Sequence, residues 1–238
     1  MATGYQPIKI KRTFEIVIDL IKEKIFSGEN AVREAYHTLE VIGIVEIRRG
    51  TEGGTFICDS THRPITQTIR DLICLRRIRL DDMVEARMFL EKDIAVLAVE
   101  RATGKDFEKL EAWQDKAFKQ IEAKVPAHKE NVGFHLCLAE IARNPILMMV
   151  YSSVMDLFLL LLHSIPADLE AATIMAEEHR KIISLLKAGD KEKLLTFMDS
   201  HIQGSNKRLM VLSKHSQFAL SDAEREINAL DDILSISK

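Results

Sequence analysis

Three histidines, His135, His179 and His201, carry the most suggestive chemistry in this chain. Neutral imidazole is a ligand for divalent zinc, nickel, copper or iron. Asn131 precedes His135 by four positions, so the two share one face of a helix. His179 lies in a second helical run, and His201 follows in a third, beyond the turn Ala188-Gly189-Asp190. A helical bundle can bring positions from three helices onto one interior point. The competing reading is structural, because His128, His163 and His215 occupy the same half of the chain and a helical histidine is commonly a packed or solvated residue. Asp156 and His163, seven apart on one apolar helix, are read as buried, paired structural groups. No carboxylate with the placement of a general base stands beside the trio in sequence. The paired Glu-x-x-His repeat of di-iron bundles is absent, Glu34-Ala35-Tyr36-His37 being a single copy far upstream. Spacing leaves both readings open.

Positioning such residues requires long helices, and the second part of the chain is written for them. The helical period predicts helices at about 67–78, 80–102, 105–123, 127–142, 145–163, 168–188, 190–215 and 221–236. Thr103-Gly104, Val125-Pro126, Asn144-Pro145 and Ala188-Gly189-Asp190 punctuate them. The implied architecture is an all-α antiparallel bundle with short connections. Ile146–Leu162 is just long and apolar enough to span a bilayer, but it carries Asp156 and two serines and reads better as a buried core helix. No membrane partner is expected. The first sixty residues follow another pattern. Phe14–Phe26 and Ala31–Gly43 have helical spacing, with Val32, Ala35, Leu39 and Ile42 inward and Gly43 as C-cap. The period then changes to two: Ile44–Arg49 reads as a strand, Gly50–Gly54 as a turn, and Thr55–Cys58 as the return. Helix, helix and hairpin outline a winged helix. The expected division is 1–59 for this unit, 60–66 for a linker containing Pro64, 67–220 for the helical domain and 221–238 for a helical tail.

Composition bounds the rest. At 238 residues, with 47% hydrophobic and 29% charged, the chain holds enough apolar material for packed cores and is no disordered sequence. The net charge of −3 gives no global attraction to a polyanion, and residues 1–60 hold eight Lys/Arg against nine Asp/Glu. Three cysteines, Cys58, Cys74 and Cys137, fit a reduced cytoplasmic setting. Met1–Arg12 is polar and then basic, without the apolar core of a secretory signal.

Val32-Arg33-Glu34-Ala35, Leu39-Glu40, Gly43-Ile44-Val45 and Gly54-Thr55-Phe56-Ile57 occur in that order over about thirty residues. This series resembles the N-terminal reader of the GntR family of bacterial transcription regulators. The resemblance implies that Arg33, near the start of the reading helix, contacts guanine or phosphate, since a guanidinium forms a two-pronged contact with either. Arg48 and Arg49 fall on the wing, and Lys9, Lys11 and Arg12 within reach of phosphate. One part of the pattern is missing. Ser27-Gly28-Glu29 runs directly into Asn30-Ala31-Val32, where a helix-turn-helix needs a positioning helix and a turn, roughly twenty residues, before its reading helix. The reader is therefore incomplete between Glu29 and Asn30. A segment left out of the sequence, a deletion and a natural loss are the three readings of that gap.

In the helical half, Asn131-Val132-Gly133-Phe134-His135 followed by Asn144-Pro145-Ile146-Leu147 resembles a signature of the FadR-subfamily C-terminal (FCD) effector domain. Glu178-His179-Arg180, Lys187-Ala188-Gly189-Asp190, Ser200-His201, and Glu85-Ala86-Arg87 with Glu91 match further segments of it. In the metal-binding branch of that domain one Asp and three His hold a divalent metal, completed by a small carboxylate effector. The resemblance assigns His135, His179 and His201 to the metal, zinc or nickel first, and Arg87 to the carboxylate. Asn131 stands where the family usually has Asp, so the remaining ligand is an uncharged amide. With less negative charge around it, the metal should be held more weakly and should attract the acid more strongly. The implied protein is a mainly α, ligand-responsive, DNA-binding transcription regulator. It would act as a cytoplasmic homodimer on operator DNA and sense a small organic acid. A metal-dependent bundle enzyme, or an effector-binding remnant that no longer binds DNA, is the alternative.

Overall fold

The computed structural model describes residues 31–48, 50, 53–58, 62–163 and 168–215, with scattered positions between Glu15 and Phe26. The side chains of 31–32, 80 and 209–215 lie outside this description. The chain divides at Pro64/Ile65 into two compact units. The tail 221–238, with its expected helix, and the Glu29–Asn30 junction lie outside the described residues.

In the first unit, every described position between Glu15 and Phe26 is helical, as the spacing predicts. Helix α1 (Ala31–Val41) leads into strands β1 (Val45–Arg48) and β2 (Gly54–Ile57). The strands pair antiparallel, with Val45 opposite Ile57 and Arg48 opposite Gly54. Gly43 ends α1 in the left-handed conformation at φ 74°. The amides of Gly43 and Ile44 close the turn onto the carbonyls of Glu40 and Leu39. A side chain at 43 would also come within 2.8 Å of the Pro64 ring. Ala35, Leu39 and Val45 are buried. Ile42, expected to face inward, is 48% exposed instead. The helix stops at Val41, so Ile42 sits in the turn and no longer follows the helical face.

In the second unit the helices are α2 (Arg63–Cys74), α3 (Leu80–Arg101), α4 (Gly104–Glu122), α5 (His128–Ile141), α6 (Pro145–His163), α7 (Leu169–Ala188) and α8 (Lys191–His215). α2 begins four residues earlier than the period suggests, inside the segment expected to be linker. Pro64 at its first turn has the φ a helix start needs and no amide to leave unpaired. α2 also ends four residues early, at Cys74, whereas the boundaries of α3 to α8 fall within about a residue of expectation because local chemistry sets them. The Thr103 hydroxyl and amide both donate to Asp106 at the start of α4. Asn144 Oδ1 accepts from the amides of Ile146 and Leu147 at the start of α6, and Asp168 Oδ1 accepts from Ala171 at α7. Gly189 closes α7 at φ 66°.

α5 is the central helix, packed against α3, α4, α6 and α7. Val132, Gly133, Phe134, His135, Cys137, Leu138, Ala139 and Ile141 are all buried, as expected for a helix enclosed on nearly every side. α4 comes so close that a Cβ on Gly133 would stand 2.6 Å from the Trp113 ring. α6 is the helix long and apolar enough to cross a membrane by length and composition. It packs against α5 and α3 with Tyr151–Met155 and Leu157–Leu159 buried, which makes it a core helix of this bundle. Cys58, Cys74 and Cys137 form no disulfide, and burial pushes the Cys137 thiol up to about 12.

Candidate metal centre

The bundle brings His135 of α5, His179 of α7 and His201 of α8 together, each 1% exposed. Nε2 of His135 lies 3.2 Å from Nε2 of His179 and 3.3 Å from Nε2 of His201. One nitrogen from each ring falls within 4.8 Å of the others. A tetrahedral zinc with nitrogen ligands at ~2.0–2.1 Å has edges of ~3.3–3.4 Å, so two sides of the triangle already match that polyhedron. The three rings come from separate helices, and each has a neighbour fixing its plane. Phe134 stacks on His179 with centroids 4.0 Å apart.

For His179 and His135 burial favours the neutral, ligand form. Burial pushes His179 well below its ordinary value, and the neighbouring charges of His135, His201 and Arg87 push the same way. Burial also lowers His135, against the opposing pull of Glu91. A neutral imidazole keeps one lone pair for a metal, and the N–H must then sit on the other nitrogen. Two carboxylates stand at those other nitrogens. Glu178 Oε2 lies 2.7 Å from Nδ1 of His201. Glu91 Oε2 lies 3.1 Å from Nδ1 of His135, off the N–H axis. For His201 the contact holds the tautomer that presents Nε2 to the common point, and for His135 the Glu91 charge beside Nδ1 favours the same tautomer.

No carboxylate placed as a general base was expected beside the trio; the structure puts Glu178 and Glu91 at the outer nitrogens of His201 and His135. Glu178 was legible as a neighbour of His179, yet it serves His201, 23 positions away. Glu91 was visible in the matched pattern without a role. Both depend on the register between helices, which no local spacing encodes.

Arg87 is buried at 1% exposure and lies one turn before Glu91 on α3. Its Nε donates to Glu91 Oε1 at 2.5 Å, and Tyr151 OH donates to the same oxygen at 3.0 Å. The guanidinium carbon lies 4.0 Å from the centroid of the Phe158 ring. Nη1 and Nη2 of Arg87 have no hydrogen-bond partner, and neither has the buried Oδ1 of Asn131. Two unpaired buried guanidinium nitrogens would be costly in a finished core and are the donors a carboxylate needs. Burial raises the Glu91 carboxyl, but the charges of Arg87 and His135 overcome it and hold the group well below the usual carboxylate range.

Asn131, His179 and His128 line a cavity of about 80 Å³, with several alanines, Asp168 and Arg208 also in its wall. His128 and His163 stack edge to face at 5.7 Å, and burial with the His163 charge brings His128 down to about 4. Asp156, read as a partner of His163, accepts a hydrogen bond from Thr66. Arg33 on α1 is exposed. Arg48 is exposed on β1, where it donates to Glu46 and lies over the Phe56 ring. Arg49, Lys9, Lys11 and Arg12 lie outside the described residues.

Residues 82–204 match the FCD domain family. The chain is 26% identical over 193 residues to the HTH-type transcriptional regulator LutR of Bacillus subtilis, covering 78% of this chain and 86% of the relative. It is 26% identical over 200 residues to the Uxu operon transcriptional regulator of Escherichia coli, covering 81% and 77%. Among solved structures, a Streptococcus agalactiae GntR superposes with a TM-score of 0.54 at 22% identity, covering 84% of this chain and 89% of that one.

Proposed function

Because the chain belongs to the GntR family of transcription regulators, in the branch that carries an FCD effector domain, we propose that it is a cytoplasmic, ligand-responsive regulator whose bundle senses a small organic acid through a divalent metal. The observation that carries the reading is the pairing of three convergent imidazoles with a buried guanidinium whose Nη1 and Nη2 lack partners. The donor set fits zinc or nickel: His135, His179 and His201 would hold the ion, with the Asn131 amide as a weaker neutral ligand. When bound, the ion supplies a positive charge that attracts a carboxylate. Arg87 would take the carboxylate's oxygens from the other side. The small cavity beside Asn131 and His179 suits a compact ligand. The two carboxylates at the triad do not argue for turnover. Each is committed to a histidine, and Glu91 also to Arg87 and Tyr151.

On the DNA side, Arg33 is the proposed base or phosphate contact, with Arg48 and Arg49 on the wing. One reading helix covers only a few base pairs, so a homodimer on a palindromic operator is the working assembly. Arg33→Ala should weaken specific operator binding by ~1–3 kcal/mol. A gel-shift or anisotropy titration at matched salt checks this, and equal affinity would remove Arg33 from the interface.

Asn131→Asp tests the metal reading. Glu91 and Glu178 stand behind the outer nitrogens of His135 and His201, not among the groups facing the ion. A new carboxylate one turn before His135 adds an uncompensated negative charge where the dielectric is low. Zinc should bind about tenfold tighter or more, a change of ~1.4 kcal/mol, and acetate correspondingly more weakly. Chelator competition and acetate titration on both proteins read the two effects. If neither affinity changes, Asn131 does not face the ion.

A further inference from the structure

Resting on the metal-and-acid reading above, we infer that Glu91 couples the two binding events, by dividing its two oxygens between the guanidinium that takes the acid and a histidine that takes the metal. Oε1 receives Arg87 Nε at 2.5 Å and the Tyr151 hydroxyl at 3.0 Å. Oε2 faces His135 Nδ1 at 3.1 Å. Glu91, Arg87 and His135 are each 1% exposed, so no solvent screens the charges from one another.

The physical consequence follows from sharing one cation. With no acid bound, the Arg87 charge is spent largely on Glu91. An acid arriving at Nη1 and Nη2 draws on the same guanidinium and leaves Glu91 less compensated. The freed negative charge then falls on His135. That charge, 3.1 Å from Nδ1, favours the tautomer protonated there, and Nε2 becomes a better donor toward the common point of the three rings. The acid thereby tightens the metal, and by linkage the metal tightens the acid by the same factor. Glu91 touches neither ligand directly, so it is a positioning residue whose effect passes through Arg87 and His135. The Tyr151 hydroxyl anchors Oε1 and keeps the carboxylate from turning away from this division.

The test uses zinc and acetate as probes on the full chain, with two readouts. The first is the nitrogen resonance of His135 in metal-free protein, followed by NMR as acetate is added. The second is zinc affinity with and without acetate. In the wild type, acetate should move the His135 resonance and raise zinc affinity about fivefold or more. Glu91→Gln should leave the resonance unmoved by acetate and lower zinc affinity ~10–100-fold in its absence. Glu91→Asp keeps the buried charge but is one methylene too short to span both partners. It should also lose the acetate-induced shift, and it carries the test if the Gln variant does not fold. An acetate-induced shift of wild-type size in either folded variant overturns the coupling. A wild type that binds neither zinc nor acetate instead overturns the metal-and-acid reading on which the coupling rests.

Discussion

Replacing His135 with alanine should remove zinc binding almost completely. The other two rings face His135 at 3.2 and 3.3 Å, so it is the corner shared by both short sides of the triangle. Structural zinc sites with a full ligand set are worth on the order of 10 kcal/mol or more, so one imidazole of three accounts for ~3 kcal/mol, a loss of about a hundredfold or more. Elemental analysis after dialysis, with chelator competition, reads the effect. The histidine also packs in the core, so thermal unfolding in the presence of a chelator must be measured in parallel. That measurement separates lost packing, which persists without metal, from lost coordination, which does not. Zinc stoichiometry and affinity equal to wild type in a folded His135→Ala protein would falsify the three-histidine site.

Arg87→Met is the second large effect, and it acts on stability as well as binding. Methionine fills much of the same volume against Phe158 but leaves the Glu91 carboxylate without its cation. Breaking a buried pair in this way costs ~3–5 kcal/mol. The pH dependence gives the sign. In the wild type Glu91 is held well below its ordinary value, so its contribution is present above the unfolded carboxyl pKa of ~4.3 and is lost as the pH falls toward the folded value. In the variant, burial without the guanidinium raises the same group, so its ionisation becomes a penalty that acid relieves. The stability gap between the two proteins should therefore be widest near neutrality and narrow below about pH 4.3. Denaturant melts at three pH values check this, and a gap independent of pH would mean that Glu91 is not the group left unpaired. Arg87→Lys separates the two roles. It keeps a cation but loses the planar fork, so it should retain much of the stability and lose most of the acetate affinity.

The helices and their ends were legible in the sequence because their signals are local. Thr103 with Asp106, Asn144 with Pro145, and Gly189 each stop or start a helix using atoms within a few residues. The same locality explains where the reading failed. Ile42 keeps the helical period beyond Val41, where the chain has already entered the turn that Gly43 closes, and α2 starts early because Pro64 nucleates it from within an apparent linker. The three histidines and Arg87 were identifiable from type, spacing and resemblance. Glu91 and Tyr151, 60 positions apart, meet only because α3 and α6 pack in one particular register. Sequence thus named the residues that would touch a ligand more readily than those that aim them.

The close contact between α4 and α5 has a practical consequence. Trp113 is the one tryptophan of the chain, and its ring rests against Gly133, two residues before His135 on the same helix. The ammonium of Lys116 lies 4.4 Å from the ring centroid. An indole in that position is a fluorophore whose brightness and colour answer to the distance of a nearby charge and to the wetness of its surroundings. Because glycine leaves no side chain between them, a small rotation of α5 reaches the indole without a cushion. A rotation of α5 on filling of the histidine site would therefore register in the emission of this single tryptophan, readable in a cuvette without dye or label.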